Sequence, residues 1–266
     1  MTALSYALTD STTMLGRQLR HMLRYPAMTA IILGVPVVFL LIFVYVFGGT
    51  LGAGLGHLTG GRAAYVRFVT PGILLMTVAA AAQATAISVA MDMTSGIMAR
   101  FRTMAIARSS VLTGHVAGSV IQAMAGLVII VGVALLAGFR TSASPGAWLA
   151  VAGLLALTAL ALTWLSVALG LSAKTVETAS NTPMFLMLLP FLGGGFVPTS
   201  SLPAGLRWFA EYQPFTPVTE AVRGLLVSGP VAHNALLAVA WFAGLTVVCF
   251  LWATRLYGRR PLPPAR

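Results

Sequence analysis

The chain has 266 residues, 58% of them hydrophobic and only 8% charged, with a formal net charge of +11. A soluble domain carries about 25% charged residues, so this chain lacks the polar surface to cover a globule in water, and its solvent is lipid. The 16 Lys and Arg residues flank apolar segments instead of interleaving with aromatics on a polar face, which excludes a nucleic-acid partner. The single cysteine, Cys249, sits in an apolar run and excludes an internal disulfide; no Cys/His metal spacing occurs.

Residues 1–24 hold no apolar core followed by a small-residue cleavage site, so no cleavable signal peptide is expected. Ser11–Arg24 forms a helix in this reading. Leu15, Leu19, Met22 and Leu23 face one side, and Arg17, Arg20 and Arg24 face another. That is either an interfacial amphipathic helix or the basic flank of the first span. Ser11 is its N-cap.

Six stretches then lack charge for about the 20 residues that a span needs. They are Ala27–Phe47, Gly72–Met91, Val111–Gly138, Trp148–Leu171, Thr182–Val197 and Ala235–Thr254. Gly48–Gly61 reads as a flexible loop. The fifth span is short, and Pro190 and Gly193–Gly195 blur its outer end. Between it and the sixth, Pro198–Pro230 is too polar to span yet rich in Leu, Trp and Phe. Pro203, Pro214, Pro217 and Pro230 divide it into two short helices that dip into the outer leaflet or pack on the spans. With six spans, eleven basic residues (Arg17, Arg20, Arg24, Arg100, Arg102, Arg108, Lys174, Arg255, Arg259, Arg260 and Arg266) fall on one side. Five (Arg62, Arg67, Arg140, Arg207 and Arg223) fall on the other. The positive-inside rule places both termini in the cytoplasm of a multi-pass cell-membrane protein.

Small residues recur every four positions in two spans: Met76, Ala80, Ala84 and Ser88 in the second, and Gly114, Gly118, Gln122 and Gly126 in the third. Such stripes let helices pack closely. A role for Gln83 or Gln122 on a substrate path is the alternative reading. No span carries a charge at its centre, which weighs against an ion-coupled carrier. His21, His57, His115 and His233 are scattered, and His115 and His233 read as interfacial residues at span ends. The only lysine, Lys174, has no glycine array around it, so the chain has no phosphate-binding loop. Neither HExxH nor GxSxG occurs.

The loop after the second span runs Asp92, Gly96, Ile97, Met98, Arg100, Phe101, Arg102, Met104, Ile106, Arg108 and Leu112. Its short helix sets apolar Ile97, Met98, Phe101 and Met104 beside three arginines, a surface suited to a cytoplasmic partner. This run resembles the coupling loop of type-2 ABC exporter permeases, in particular the daunorubicin/doxorubicin-resistance-like branch. A second resemblance lies in Phe196–Pro198, Leu202–Pro203, Trp208–Ala210 and Gln213–Leu226, with Pro214, Pro217, Glu220 and Arg223 inside it. Ala105 departs from the proline common in that family.

The resemblance implies an all-α membrane protein: six spans, an N-terminal amphipathic helix and a re-entrant external helix pair. It implies a single permease domain over 1–266, with 1–26 as the cytoplasmic helix, 27–254 as the spans and 255–266 as a cytoplasmic basic tail. It also implies two copies of a separate ABC ATPase that holds ATP and Mg²⁺, while this chain binds no cofactor. A second permease, identical or paralogous, completes the complex. The function implied is export of hydrophobic or amphiphilic compounds, whether drug, antibiotic or lipid. Glycan or lipid export within the same family, or an ion-driven carrier, are the alternatives.

Overall fold

The computed structural model describes Gly16 and residues 26–53, 61–95, 108–173, 175–227 and 229–259. The helix read over Ser11–Arg24, the loop residues Gly96, Arg100, Phe101 and Arg102, and residues 260–266 of the basic tail lie outside the described residues. Among the described residues every regular element is helical. Five helices are long and apolar enough to cross a membrane: Leu33–Ala53, Gly61–Thr94, Leu112–Leu136, Pro145–Ser172 and Ala232–Gly258.

The first helix, α1 (Pro26–Ile42), does not stop where the glycines begin. It continues through a widened turn, Phe43–Phe47, into α2 (Gly48–Ala53). The expected loop at Gly48–Gly61 is therefore helical in its first part. The reason is close approach. A Cβ on Gly52 would meet the carbonyl oxygen of Gly61 at 2.1 Å, so only glycine lets α2 pass the start of the next helix. Gly61 itself opens that helix at φ +40°, which L side chains rarely adopt.

That next helix, α3 (Gly61–Thr94), is the axis of the fold. It packs on α1 and α2 and on every helix defined below except α8 and α10. Residues 69–82 are all buried. Pro71 interrupts its backbone ladder, and hydroxyls of Thr70, Thr77 and Thr85 donate to the carbonyls of Val66, Ile73 and Ala81 four residues back.

α4 (Arg108–Leu136) ends at Gly138, whose φ is +101°. Phe139 N donates to Ala134 O at 2.8 Å and Gly138 N to Leu135 O at 3.2 Å, the paired bonds of a Schellman cap. α5 (Pro145–Ser172) starts with Pro145 in its first turn, and the Ser144 hydroxyl accepts from Ala147 N at 3.2 Å.

The stretch read as a fifth span, Thr182–Val197, holds one short helix, α7 (Met184–Leu192), which Thr182–Pro183 part from α6 (Val176–Asn181) before it and which a turn at Gly193–Phe196 follows. The 9 residues of α7 rise only about 14 Å, less than half of a hydrocarbon core about 30 Å thick. Pro183 and Pro190 supply no backbone donor, and the glycines turn the chain back. Beyond a 3₁₀ turn at Thr199–Ser201 come α8 (Ala204–Tyr212) and α9 (Phe215–Val227), divided at Pro214 as expected. The last helix, α10 (Ala232–Arg259), lies mainly against α5 and α9.

One core cluster joins α1, α3, α4, α5, α7 and α9. A smaller one, around Trp164, Val167, Leu171, Cys249 and Tyr257, sits at the end where α3 gives way to residues 96–107. Outward-facing Val46 on the first helix, Val128 and Leu136 on α4, and Leu236, Val247 and Val248 on α10 remain exposed. An apolar surface of that extent needs lipid or protein against it.

α3 and the Gly193–Gly195 turn meet backbone to backbone, for a Cβ on Gly72 would lie 2.6 Å from Gly195 O. Gly72→Ala is therefore expected to destabilise the protein by about 1–3 kcal/mol, read as a lower melting temperature in detergent. Gly153→Ala, where a Cβ would meet nothing within 4 Å, is expected to leave that temperature unchanged.

Candidate functional site

Two polar arrangements interrupt the apolar bundle, one at each end. The first is built where α7 stops. Its last carbonyls need partners once Gly193–Gly195 leave the helical path. Leu189 O accepts from Gly193 N at 3.0 Å and from the Gln213 side-chain amide at 2.9 Å. The Thr216 hydroxyl accepts from Gly194 N at 3.4 Å and donates to Ala210 O at 2.5 Å. Arg223 donates to Gly194 O at 2.5 Å and to Phe68 O on α3 at 3.1 Å. Glu220 pairs with Arg223.

Gln213, Thr216, Glu220 and Arg223 recur at intervals of three or four residues. The turn before α9 and one face of α9 therefore grip the whole glycine turn. Each glycine leaves room for a different group. A Cβ on Gly193 would lie 2.5 Å from Gln213 Nε2, and one on Gly194 would lie 2.8 Å from Glu220 Oε1. Arg223 is 16% exposed and stacks over the Phe68 ring, 4.0 Å from its centroid. A guanidinium keeps its charge in such a place because carbonyls, a carboxylate and a ring face replace water.

Aromatic packing continues the site inward. Phe196 stacks on Phe191 at 4.1 Å and meets Phe43 at 4.9 Å, while the Tyr65 hydroxyl donates to Phe196 O at 3.4 Å. Of the residues singled out in this segment of the sequence, Glu220 and Arg223 meet here, while Pro214 stands just before α9 and Pro217 is buried in its first turn. Pro203 and Trp208 do not meet here. They sit at and on the exposed α8, where Arg207 and Glu211 pair at 2.8 Å, an exposed contact worth about 0–1 kcal/mol.

The second arrangement joins α3 and α4 at the other end. His115 Nε2 lies 3.1 Å from Asp92 Oδ2, with the side chains 5% and 15% exposed. Further along the same seam Thr85 and Ser119 share a hydrogen bond at 2.5 Å, and Ser119 also reaches Ala81 O. Asp92 thus stands at the root of the loop, as read from the sequence, and Arg108 opens the helix on its far side. His115, read as an interfacial residue, is instead buried and paired.

The stripe on α4 packs as expected. Gly114, Gly118 and Gly126 are buried, and a Cβ on Gly126 would press on Leu33 and Thr77. Gln83 donates to Ser180 O at 2.9 Å and ties α3 to α6. Gln122 is half-buried on α4.

Sequence reasoning read His115 only as interfacial, Gly193–Gly195 only as a blurred span end, and Gln213 and Thr216 only as part of the Gln213–Leu226 resemblance, and gave none of them a contact. The signal for Gln213 and Thr216 was present in their helical register with Glu220 and Arg223. No periodicity could have linked His115 to Asp92 across the loop.

Arg223→Ala, which leaves two carbonyls in the grip without their donor, is expected to cost about 1–3 kcal/mol. Glu220→Gln should cost less because Glu220 is 37% exposed, and Arg207→Ala should stay within about 0.5 kcal/mol. Thermal unfolding in detergent measures all three.

The sequence profile of the ABC-2 type transporter family matches residues 9–227. The chain is also 28% identical over 255 residues to the daunorubicin resistance ABC transporter permease protein DrrB1 of Streptomyces coeruleorubidus, covering 94% of this chain and 87% of that protein. The probable doxorubicin resistance ABC transporter permease protein DrrC of Mycobacterium tuberculosis is 28% identical over 167 residues, 62% of this chain and 59% of its own length. The inner membrane transport permease YadH of Escherichia coli is 25% identical over 187 residues, 67% of this chain and 69% of its own.

Proposed function

Because this chain belongs to the ABC-2 type transporter family, we propose that it is the membrane-spanning permease of an exporter for hydrophobic or amphiphilic compounds, driven by ATP hydrolysed on a separate subunit. The observation that carries this reading is the family match across both polar arrangements, the Asp92 loop root and the α7–α9 grip. The relatives named for daunorubicin and doxorubicin resistance favour a drug-like or lipid-like cargo, and the apolar bundle suits one.

In this reading α6 and α7 together form a sixth, broken crossing, and α8–α9 re-enter from outside. Both termini lie in the cytoplasm of the cell membrane. Two ATPase subunits, which hold ATP and Mg²⁺, dock on the 92–108 loop of two permeases. Nucleotide binding draws the loops together and tips the permease pair from inward-facing to outward-facing. Arg100, Phe101 and Arg102 supply the docking contacts, with Phe101 in a pocket of the ATPase. Gln83 and Gln122 remain the polar groups proposed for the substrate path.

The purified chain alone should hydrolyse no ATP. Transport should stop when the partner ATPase is disabled and persist when the proton gradient is collapsed. Burying one aromatic side chain stabilises by about 1.5–3 kcal/mol, so Phe101→Ala should weaken assembly or stimulated hydrolysis about tenfold at equal expression. Transport driven by the proton gradient alone would favour a carrier instead.

The topology has its own test. In a Cys249→Ser background, Thr103→Cys and Arg266→Cys should label from the cytoplasmic side alone, and Thr59→Cys and Ser201→Cys from outside alone. Outside labelling at position 103 would overturn the arrangement.

A further inference from the structure

An ionisable pair between membrane helices is costly, and helices that merely need to associate have cheaper means. α3 and α4 use those means elsewhere, with Gly126 against Thr77 and the Thr85–Ser119 hydrogen bond. Packing therefore does not explain why Asp92 and His115 are buried together. Their position does. Asp92 lies in the last turn of α3, which ends at Thr94, and His115 lies seven residues into α4, which begins at Arg108. Seven residues rise about 10 Å, so the pair joins the last turn of α3, where residues 96–107 leave, to a point two helical turns beyond where they return at Arg108. His115 Nδ1 is buried and has no partner among the described residues, so the ring is held through Nε2 and Asp92. Just beyond the seam, α5 meets α3 closely, because a Cβ on Gly170 would lie 2.7 Å from Ala86 O.

We propose that Asp92 and His115 are positioning residues that clasp the roots of the loop, so that α3 and α4 move as one rigid hairpin. The proposal rests on the reading of that loop as the ATPase dock. A force applied at the loop by the ATPase then displaces the α3 axis, on which most of the bundle packs, instead of splaying the two helices. Without the clasp the loop still docks, but its movement is absorbed at its roots.

The test uses the complex of this chain with the ATPase that copurifies with it, in liposomes, and reads ATP hydrolysis with and without transported substrate. His115→Leu, which lies outside the 92–108 loop, is expected to retain ATPase copurification and basal hydrolysis, and Asp92→Ala is expected to insert stably. They are expected to lose substrate stimulation about tenfold, the factor that one charge-assisted hydrogen bond corresponds to. His115→Gln, whose amide nitrogen takes the place of Nε2, is expected to keep most of the stimulation. The exchange of Asp92→His with His115→Asp is expected to restore it.

Gly72→Ala controls for lost stability at the opposite end. It is expected to lower the melting temperature while keeping stimulation. Wild-type stimulation in stably inserted Asp92→Ala and His115→Leu would overturn the clasp, and so would stimulation that falls in step with melting temperature across all variants, Gly72→Ala included. Failure of the wild-type chain to copurify any ATPase would overturn the docking reading itself, and the clasp with it.

Discussion

A helix that ends inside a water-poor bundle must find partners for its orphaned peptide groups, and the arrangement of this protein follows from how that need is met at Gly193–Gly195. The turn satisfies few of its own groups. Gln213, Thr216 and Arg223 supply the donors and acceptors from a single helical face. Because Arg223 also reaches Phe68 O on α3, the same contacts fasten the external helices to the axis of the bundle. The glycines are required on both counts. They turn the chain, and they leave no Cβ to hold the gripping side chains away.

The axis helix α3 therefore has charged side-chain attachments at both ends, with small-residue and apolar contacts and the hydrogen bonds of Gln83 and Thr85 between them. At one end the glycine turn lies on Gly72 and Arg223 reaches the Phe68 carbonyl. At the other, His115 closes on Asp92. Buried charge is confined to places where it has a specific partner, which is the condition under which a low-dielectric interior tolerates it. Beside Pro71, where the helix lacks one backbone donor, the Thr70 hydroxyl adds a bond to the Val66 carbonyl. α3 thus contacts both the α4 seam at His115 and the α7–α9 grip at Arg223.

Much of this was legible in the chain before folding. The long apolar runs in the first four spans and the last all appear as helices, although α3 begins at Gly61, eleven residues before the expected start at Gly72, because about twenty apolar residues without charge have few alternatives to a helix in lipid. Pro214 divides α8 from α9 as read. The helix in the fifth span is shorter than the apolar run suggests, because counting apolar residues does not weigh Pro183, after which α7 starts, or the glycines at which it ends. Gly48–Ala53 was misjudged as loop for the opposite reason. Glycine lowers helix propensity, yet here its missing side chain is what allows two backbones to touch.

By itself, then, the sequence determined the solvent, the helical class and the break at Pro214, since these depend on composition and on local backbone chemistry. Two segments also carried enough of their identity in linear order to be recognised as those of an exporter permease. Only the tertiary structure decided which polar groups meet. Gln213 and Thr216 look unremarkable until the glycine turn is brought against them. His115 stands twenty-three positions from Asp92, beyond the reach of any helical period. Pairing of that kind is set by how neighbouring helices are rotated and staggered, and those are properties of the packed bundle rather than of either segment.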